Sequence, residues 1–548
     1  MESTAMRWLR TVVLAAFVAA IGLGMFVPVY SDEIGWRFQE RAALDGVDKM
    51  FTELCGPNTL AAPPFFMMPV RWYSALFNTA FADPFWVRAS GVLYALLLAA
   101  MLFAILRRVA ANARERDVLV TLGIGMLCLG MTPLLLVWSR PEQPIALTVL
   151  SAVCLGLGGA VAGRETGRAT AWLRCAAIVA LVVVAASYHL KGLAGLPIFL
   201  AALFFCAKGR EAHVPRIAAA LLILGIAAVS ASYWLDRLSC PGNAALRELY
   251  EAHSIGASIS SVSGIGDLRA LAETVFGNVG VLRYILLTNP DQYPLASWLP
   301  AEQVTKAESL RWYLSLVIVW SGVLLIGLVA FVAAAVRAWR ARAIPAPLVF
   351  AVAALVSFVG WTASQNWSNI YETTFVIPLL LLAVLLSLAT APKAGRARSI
   401  FEVSAVGVGL LALVNVALLG TVWAPGMARA FGQAGYIEDQ PLSVSIRGYR
   451  QIEPKILETG RMCGIPEPEN ARAVLVDELT YFAYMESRLP QHRLGAFSHW
   501  NGDLQDPVGY LKSRDSDGIV VGCHILPESL RDKALRNGRF CCLGPDQW

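Results

Sequence analysis

The chain has 548 residues, of which 57% are hydrophobic and only 15% charged, and its mean hydropathy is +0.57. A soluble globular chain carries about 25% charged residues, so these figures exclude a cytosolic enzyme, a disordered protein and a nucleic-acid binder. They leave a polytopic membrane protein. The net charge of +6 is small for this length, and where the charges fall matters more than their sum.

A spanning helix needs about 20 mostly apolar residues. Eleven runs are candidates: 11–29, 86–106, 118–138, 144–163, 171–188, 192–207, 217–235, 312–336, 344–364, 373–391 and 403–423. The first follows Arg7 and Arg10 but lacks a small-residue cleavage site, so it reads as a retained anchor. His189 and Lys191 separate the fifth and sixth runs, and Gly192 and Gly195 follow the break, which predicts two short helices in a tight hairpin. Arg7, Arg10, Arg107, Arg108, Arg114, Arg116, Arg164, Arg168, Arg174, Lys208, Arg210, Arg216, Arg337, Arg340, Arg342, Lys393, Arg396 and Arg398 all fall on one side of an eleven-span arrangement. By the positive-inside rule that side is the cytoplasm. The expected fold class is a polytopic α-helical membrane domain, 1–423, with long outer loops at 30–84 and 236–310. A small α/β extracytoplasmic domain, 424–548, follows it.

Ser31-Asp32-Glu33 follows the first run, and the stretch to Asp45 reads as an amphipathic surface helix with Glu33 and Arg37 as an i,i+4 pair. Pro63-Pro64 breaks the chain before another apolar stretch, and 267–287 reads as a partly apolar helix. In the tail, 473–476 and 518–522 read as buried strands, and 479–486 and 528–536 as helices. Cys128, Cys154, Cys175 and Cys206 lie in or beside spans as packing residues. The other six cysteines lie outside, where disulfides form. One bond between Cys55 and Cys240 is expected, with free thiols as the alternative there, and further bonds within the tail. No CxxC pair exists to suggest zinc.

Four polar clusters fall at the outer ends of spans, and none lies at mid-membrane. Asp32-Glu33 is either a helix start favoured by the dipole or a general base toward a hydroxyl. In Trp138-Ser139-Arg140-Pro141-Glu142-Gln143-Pro144, two prolines hold Glu142 at a short turn, where it is either solvated and paired with Arg140 or functional. In Tyr188-His189-Leu190-Lys191-Gly192, Lys191 lies against the positive-inside trend. It either snorkels or holds a phosphate, with the small Gly192 letting the anion approach the backbone. His189 has a minor role. Gln365, Asn366, Asn369, Tyr371 and Glu372 form the fourth, a polar turn entering an apolar helix. Transporters usually place ionisable residues near the midplane. Their scarcity in these spans argues for chemistry at the membrane surface.

At these residues the chain resembles the membrane glycosyltransferases of the GT-C fold that use a polyprenyl-phosphate sugar, in the group of lipid A aminoarabinose transferases and protein O-mannosyltransferases. The resemblance covers roughly 8–210 in order, and 360–390 more weakly. Asp32-Glu33 matches the family's acidic pair after the first span. Ala62-Pro63-Pro64-Phe65 matches its proline-rich segment, with Ala62 where a lysine is frequent. Arg88 matches the arginine opening the second span, and Glu142-Gln143-Pro144 an acid before proline, with Glu in place of the commoner Asp. Lys191-Gly192 matches a Lys-Gly pair, and Tyr371 a late tyrosine, with Ile370 where a basic residue is frequent.

This resemblance implies a polyprenyl-phosphate-linked sugar donor in the lipid bilayer and an envelope glycan, lipid or protein acceptor, at the outer face of a bacterial inner membrane. It implies Asp32 or Glu33 as base, Glu142 orienting the acceptor or sugar, and Lys191 and Arg88 on the donor phosphate. His189, Tyr371 and Arg37 complete the substrate-binding set. No metal ligand or cofactor is assigned, and the need for a divalent metal stays open. A lipid or polysaccharide translocase and a non-catalytic envelope assembly protein are the alternative readings. The topology is testable. A reporter fused after residue 110 should signal from the cytoplasm and one fused after residue 430 from the opposite side. A cytoplasmic signal at 430 would put the large loops on different sides and remove a shared outer site.

Overall fold

Backbone surrounded by hydrocarbon must satisfy its own polar groups, and each of the eleven apolar runs accordingly carries helix. The computed structural model describes residues 3–30, 33–34, 36–37, 63–81, 83–161, 165–238, 306–363, 376–391, 396–432, 443–444, 446–477, 479–487, 492–493, 512, 516–526 and 528–547. The helices of the membrane region are α1 (Ser3–Leu23), α2 (Met68–Ala80), α3 (Pro84–Val109), α4 (Ala113–Leu127), α5 (Thr132–Leu135), α6 (Glu142–Val161) and α7 (Arg168–Tyr188). They continue with α8 (Leu196–Phe205), α9 (His213–Leu238), α10 (Lys306–Ala341), α11 (Ala346–Ala363), α12 (Ile377–Thr390) and α13 (Arg396–Gly432). Among the described residues, seven helical stretches are long and apolar enough to cross a membrane, and Leu190–Phe205, Ala346–Thr362 and Ile377–Thr390 are apolar but shorter. The chain is a polytopic α-helical membrane protein.

The helices pack around α6 and α12. Every residue of α12 from Ile377 to Leu388 is buried, against α10 and α11. Helix α6 lies against α3, α7 and α8, while α1 packs on α4 and α13. Peripheral helices show apolar side chains outward: Leu221 on α9, Ile318 and Leu328 on α10, and Val403 on α13 are all more than half exposed. A soluble protein would bury such residues, but hydrocarbon accepts them.

The expected span 118–138 is not one helix. It breaks after Leu127 and resumes at α5, with Gly130 in the left-handed region at φ 59°. Asn415 on α13 satisfies the break. Its Nδ2 donates to the carbonyls of Cys128 (2.7 Å) and Gly130 (3.0 Å), and its Oδ1 accepts from the Gly130 N–H (3.2 Å). Helix α13 itself runs to Gly432, past the expected boundary at 423.

The tail holds the helix α14 (Ile446–Met462) and a five-stranded mixed sheet in the order β4-β3-β5-β7-β6. Its strands are β3 (Val474–Val476), β4 (His492–Arg493), β5 (Gly518–Gly522), β6 (Leu535–Asn537) and β7 (Phe540–Leu543). β3 runs parallel to β4 and β5, and β7 pairs antiparallel with β5 and β6. The two expected strands are β3 and β5. The helix expected at 479–486 is a 3-10 turn, Tyr481–Tyr484. That expected at 528–536 is only the one-turn α15 (Glu528–Arg531), because Leu535–Asn537 pairs with β7. Alternating side chains place Val474, Val476, Val520 and Cys542 on one face, with Tyr449, Ile452 and Ile456 of α14. Leu475, Ile519, Val521 and Cys541 fill the other face, with Leu526 and Leu530. Disulfides Cys463–Cys542 and Cys523–Cys541 tie both faces, within the tail as expected. Cys55 and Cys240 lie outside the described residues.

The tail is seated on the membrane region through the chain that leaves α1. β1 (Val29–Tyr30) pairs antiparallel with β2 (Ser443–Val444), in the register Val29↔Val444. Val29, Ile34 and Val87 of the membrane region share one buried cluster with Val444 and Tyr449 of the tail.

The break in the third run gives a direct test. Asn415→Leu removes every side-chain partner that Asn415 supplies to the backbone at 128–130, each unmet buried group costing about 1–3 kcal/mol. The variant should melt at a lower temperature in detergent by scanning fluorimetry. An unchanged melting temperature would contradict the role given to Asn415.

Candidate functional site

Helix α3 starts with Asp83, whose side chain accepts from the Trp86 N–H (2.9 Å), and turns Arg88 inward. Arg88 is wholly buried. Its Nε donates to the Val27 carbonyl (3.0 Å), Nη1 to the Val137 carbonyl (2.8 Å) and Glu33 Oε1 (3.1 Å), and Nη2 to the Pro28 carbonyl (2.8 Å) and Glu33 Oε2 (2.8 Å). A guanidinium has five N–H groups, so none is left for a phosphate. Glu33 Oε1 also accepts from the Ser139 N–H (2.6 Å). Gly91, one turn on, makes this approach possible, since a Cβ there would collide with the Val137 carbonyl. Glu33 and Arg37 are not the exposed pair of a surface helix: both are buried, Glu33 against Arg88. Arg37 Nη1 donates to Asn78 Oδ1 (2.6 Å) and Nη2 reaches Ser139 Oγ (3.5 Å).

The second cluster lies next along the same turn. Glu142 is not at a solvated tip but is the fully buried first residue of α6. Arg140 holds it through Nε to Oε2 (3.1 Å) and Nη2 to Oε1 (3.4 Å), and Lys191 Nζ lies 3.6 Å from Oε1. Lys191 sits on a 3-10 turn, Leu190–Gly195, that joins α7 to α8. Gly192 serves packing here rather than anion access: its Cβ would meet the Ala185 carbonyl of α7. His189 Nδ1 accepts from the Lys191 N–H (3.0 Å), and its ring stacks on Trp234 and meets Trp36 edge-on. Tyr233 and Trp234 in turn lie under the Arg71 guanidinium at 5.4 and 5.5 Å.

Helix α2 is inverted relative to a soluble amphipathic helix. Arg71, Ser74, Ala75 and Asn78 are buried, whereas Trp72, Tyr73 and Leu76 are exposed. Ser74 and Asn78 of this polar inner stripe form one wall of a cleft. Ser90 and Tyr94 of α3, the turn Ser139-Arg140-Pro141 and Tyr188 of α7 form the rest, and Trp36, Arg37, Tyr73 and Phe77 also line it. Hydroxyls line it in pairs: Ser74 with Tyr188 (3.2 Å) and Ser90 with Ser139 (3.1 Å). Among the described residues, no group of three or more His, Cys, Asp and Glu could hold a metal ion.

The structure thus brings together six of the eight expected site residues, Glu33, Arg37, Arg88, Glu142, His189 and Lys191. Asp32 and Tyr371 lie outside the described residues. Of the six, Arg37 lines the cleft. Glu33 and Arg88 form its support, and Lys191 grips Glu142 behind Arg140. Asn78, Ser74, Ser90, Tyr94 and Tyr188 were not anticipated as site residues. The available signal was the spacing of Arg71, Ser74 and Asn78 within an otherwise apolar helix, one polar stripe at helical period.

No family model matches the chain, and no curated protein matches it. Among solved structures, the chain is similar to the archaeal oligosaccharyltransferase AglB from Archaeoglobus fulgidus in complex with an inhibitory peptide and a dolichol-phosphate. That match has a TM-score of 0.44 and 13% identity, covering 94% of this chain and 70% of that one. The Archaeoglobus fulgidus oligosaccharyltransferase tethered with an acceptor peptide gives a TM-score of 0.43 and 11% identity, over 94% of this chain and 69% of that one. Its apo form gives 0.39 and 12%, over 94% and 70%.

Arg88→Met would leave Glu33 buried without its cation, a loss of about 3–5 kcal/mol. Its melting temperature and membrane yield should fall clearly. The double variant Arg88→Met/Glu33→Leu should recover the part of the loss that comes from the unpaired carboxylate, but not the part from the Val27, Pro28 and Val137 carbonyls and the Ser139 N–H, which stay without partners. A single variant as stable as wild type would show that the pair does not hold these segments.

Proposed function

We propose that the protein is an integral-membrane glycosyltransferase that takes a sugar from a polyprenyl-phosphate donor and passes it to an envelope acceptor: lipid A or lipopolysaccharide core, a polysaccharide or a protein. The observation that carries this reading is the make-up of the cleft. Two guanidinium groups, Arg37 and Arg140, stand among hydroxyls, an amide and aromatic rings. Guanidinium suits phosphate oxygens, hydroxyls and amides suit a sugar's hydroxyls, and aromatic rings suit the membrane interface where the lipid tail enters. The sequence resemblance, which reaches Glu33, Arg88, Glu142 and Lys191 in order, supports the same chemistry.

In this proposal the acceptor oxygen attacks the anomeric carbon while the bond from that carbon to the phosphate oxygen breaks. The electron pair leaves with the polyprenyl phosphate, a stable anion that needs cationic help rather than an acid. Arg37 and Arg140 supply that help, and Lys191 with Glu142 holds Arg140 in place. Glu33 is committed to Arg88, so the base falls to its neighbour Asp32, which takes the acceptor proton. One displacement inverts the anomeric centre. The basic ends of the spans face the cytoplasm and the cleft and tail face the periplasm, which sets the reaction at the outer leaflet of a bacterial inner membrane.

The test is transfer from a purified polyprenyl-phosphate sugar in nanodiscs with the donor titrated. Asp32→Asn should lower kcat about 10²-fold at normal membrane levels. Arg37→Met should weaken donor use by about one to two decades, the weight of a charge-assisted hydrogen bond of roughly 1.5–3 kcal/mol. Lys191→Met, which loosens Arg140 without touching the donor, should weaken it by a smaller factor. Wild-type kcat in Asp32→Asn with wild-type donor dependence in the two cation variants would overturn the reading.

A further inference from the structure

A second cleft, of about 340 Å³, lies at the basic end of the bundle. It opens between the start of α4, the last turns of α10, the end of α12 and the start of α13. Arg114, Arg337 and Arg398 stand at it, with Val118, Ala391 and Phe401 as apolar lining. The carboxylates facing these arginines are Glu115 and Glu402. Glu402 is held from two sides, by Arg114 (2.7 Å) and by Arg398 (3.1 Å), and Glu115 Oε2 accepts from the Ala111 N–H (3.3 Å). Arg337 is exposed and, among the described residues, makes no ion pair. Three arginines against two carboxylates leave the cleft cationic.

The adjoining helix surfaces are apolar and outward-facing. Val329, Val332 and Val336 on α10 are 61%, 52% and 39% exposed, and Ile400 and Val403 on α13 are 56% and 70% exposed. These stripes start beside Arg337 and Arg398 and run along the bundle at helical spacing. Trp339, 81% exposed, stands two residues beyond Arg337, as aromatic side chains do at the headgroup level. A cationic recess that opens onto apolar stripes matches an amphiphile with an anionic head. A soluble anion would have no use for the stripes.

We propose that this cleft binds the phosphate headgroup of an anionic phospholipid, with its acyl chains along the exposed faces of α10 and α13. Arg337 meets the phosphate directly, while Arg114 and Arg398, fixed by Glu402, provide the surrounding positive field. Basic recesses between spanning helices at an inner membrane face are suited to such headgroups. The site is at the other end of the bundle from the cleft at Arg140, and its occupancy does not depend on glycosyl transfer.

The experiment uses the full chain, delipidated in detergent. Phosphatidylglycerol and phosphatidylcholine are titrated separately and followed by native mass spectrometry and melting temperature. Phosphatidylglycerol should bind more tightly and raise the melting temperature more. Arg337→Glu should weaken that binding roughly tenfold or more, while Arg337→Lys keeps most of it. Because Arg337 is exposed, both variants should melt like wild type without lipid. Equal phosphatidylglycerol binding by wild type and Arg337→Glu would overturn the proposal. So would equal binding of the two lipids, which marks an unspecific apolar surface. Inorganic phosphate that binds as tightly as phosphatidylglycerol would show a site for a soluble anion and overturn the lipid assignment.

Discussion

One guanidinium joins three stretches of chain that the sequence keeps far apart. Arg88 on α3 takes the carbonyls at the end of α1, the carboxylate of Glu33 and the carbonyl of Val137. In water such a group gains little from its partners, but in a solvent-free site each unmet donor would be costly. The arrangement is therefore close to all-or-none: the three segments meet in one geometry or the arginine is left unsatisfied. The same point supports the tail, because Val29 on β1 and Val87 beside Arg88 enter its core. Membrane bundle, cleft and tail share this junction.

The cleft depends on a second constraint, the inversion of α2. Its polar stripe faces inward because the outward face meets hydrocarbon, where Trp72, Tyr73 and Leu76 cost nothing. Ser74 and Asn78 then line the cleft opposite the turn at Ser139, while Arg71, one turn earlier, lies over Tyr233 and Trp234. The turn is held from both sides, by Glu33 on the Ser139 N–H and by Glu142 on the Arg140 side chain. Two buried carboxylates thus fix the backbone and side chains that face the cleft. Preorganised polar groups of this kind are what charge development at a leaving phosphate requires.

Much of the fold was legible because hydrocarbon imposes a simple rule on composition. All eleven apolar runs carry helix, and two of the tail's buried strands, β3 and β5, lie where expected, whereas the equally buried β7 was not expected. The misses have physical causes. The break at 128–131 depends on Asn415, 285 residues away from Gly130, and no local pattern announces it. β4 and β6 are two and three residues long, too short to show alternation, and α14 carries a proline at 454 that reads as an end of helix. At the site, Glu33, Glu142 and Lys191 stood out individually as charges at span ends, and Arg88 through the family resemblance. The pairing of Glu142 with Arg140 was one of its two readings. Those of Glu33 with Arg88 and of Lys191 with Glu142 were not legible, because Arg37 is the near partner of Glu33 along the chain and Lys191 has no near carboxylate there, whereas burial selects Arg88 and Glu142.

The proposed reaction requires the cleft beside Arg140 to receive the head of a lipid-linked sugar. A cryo-electron microscopy structure of the protein in nanodiscs, bound to a non-hydrolysable polyprenyl-phosphonate sugar, tests it most directly. The sugar should lie between α2 and the Ser139–Pro141 turn, with a phosphonate oxygen in hydrogen-bond reach of Arg37 or Arg140 and Arg88 still bound to Glu33. A headgroup resolved elsewhere on the bundle, with the cleft unchanged, would contradict it.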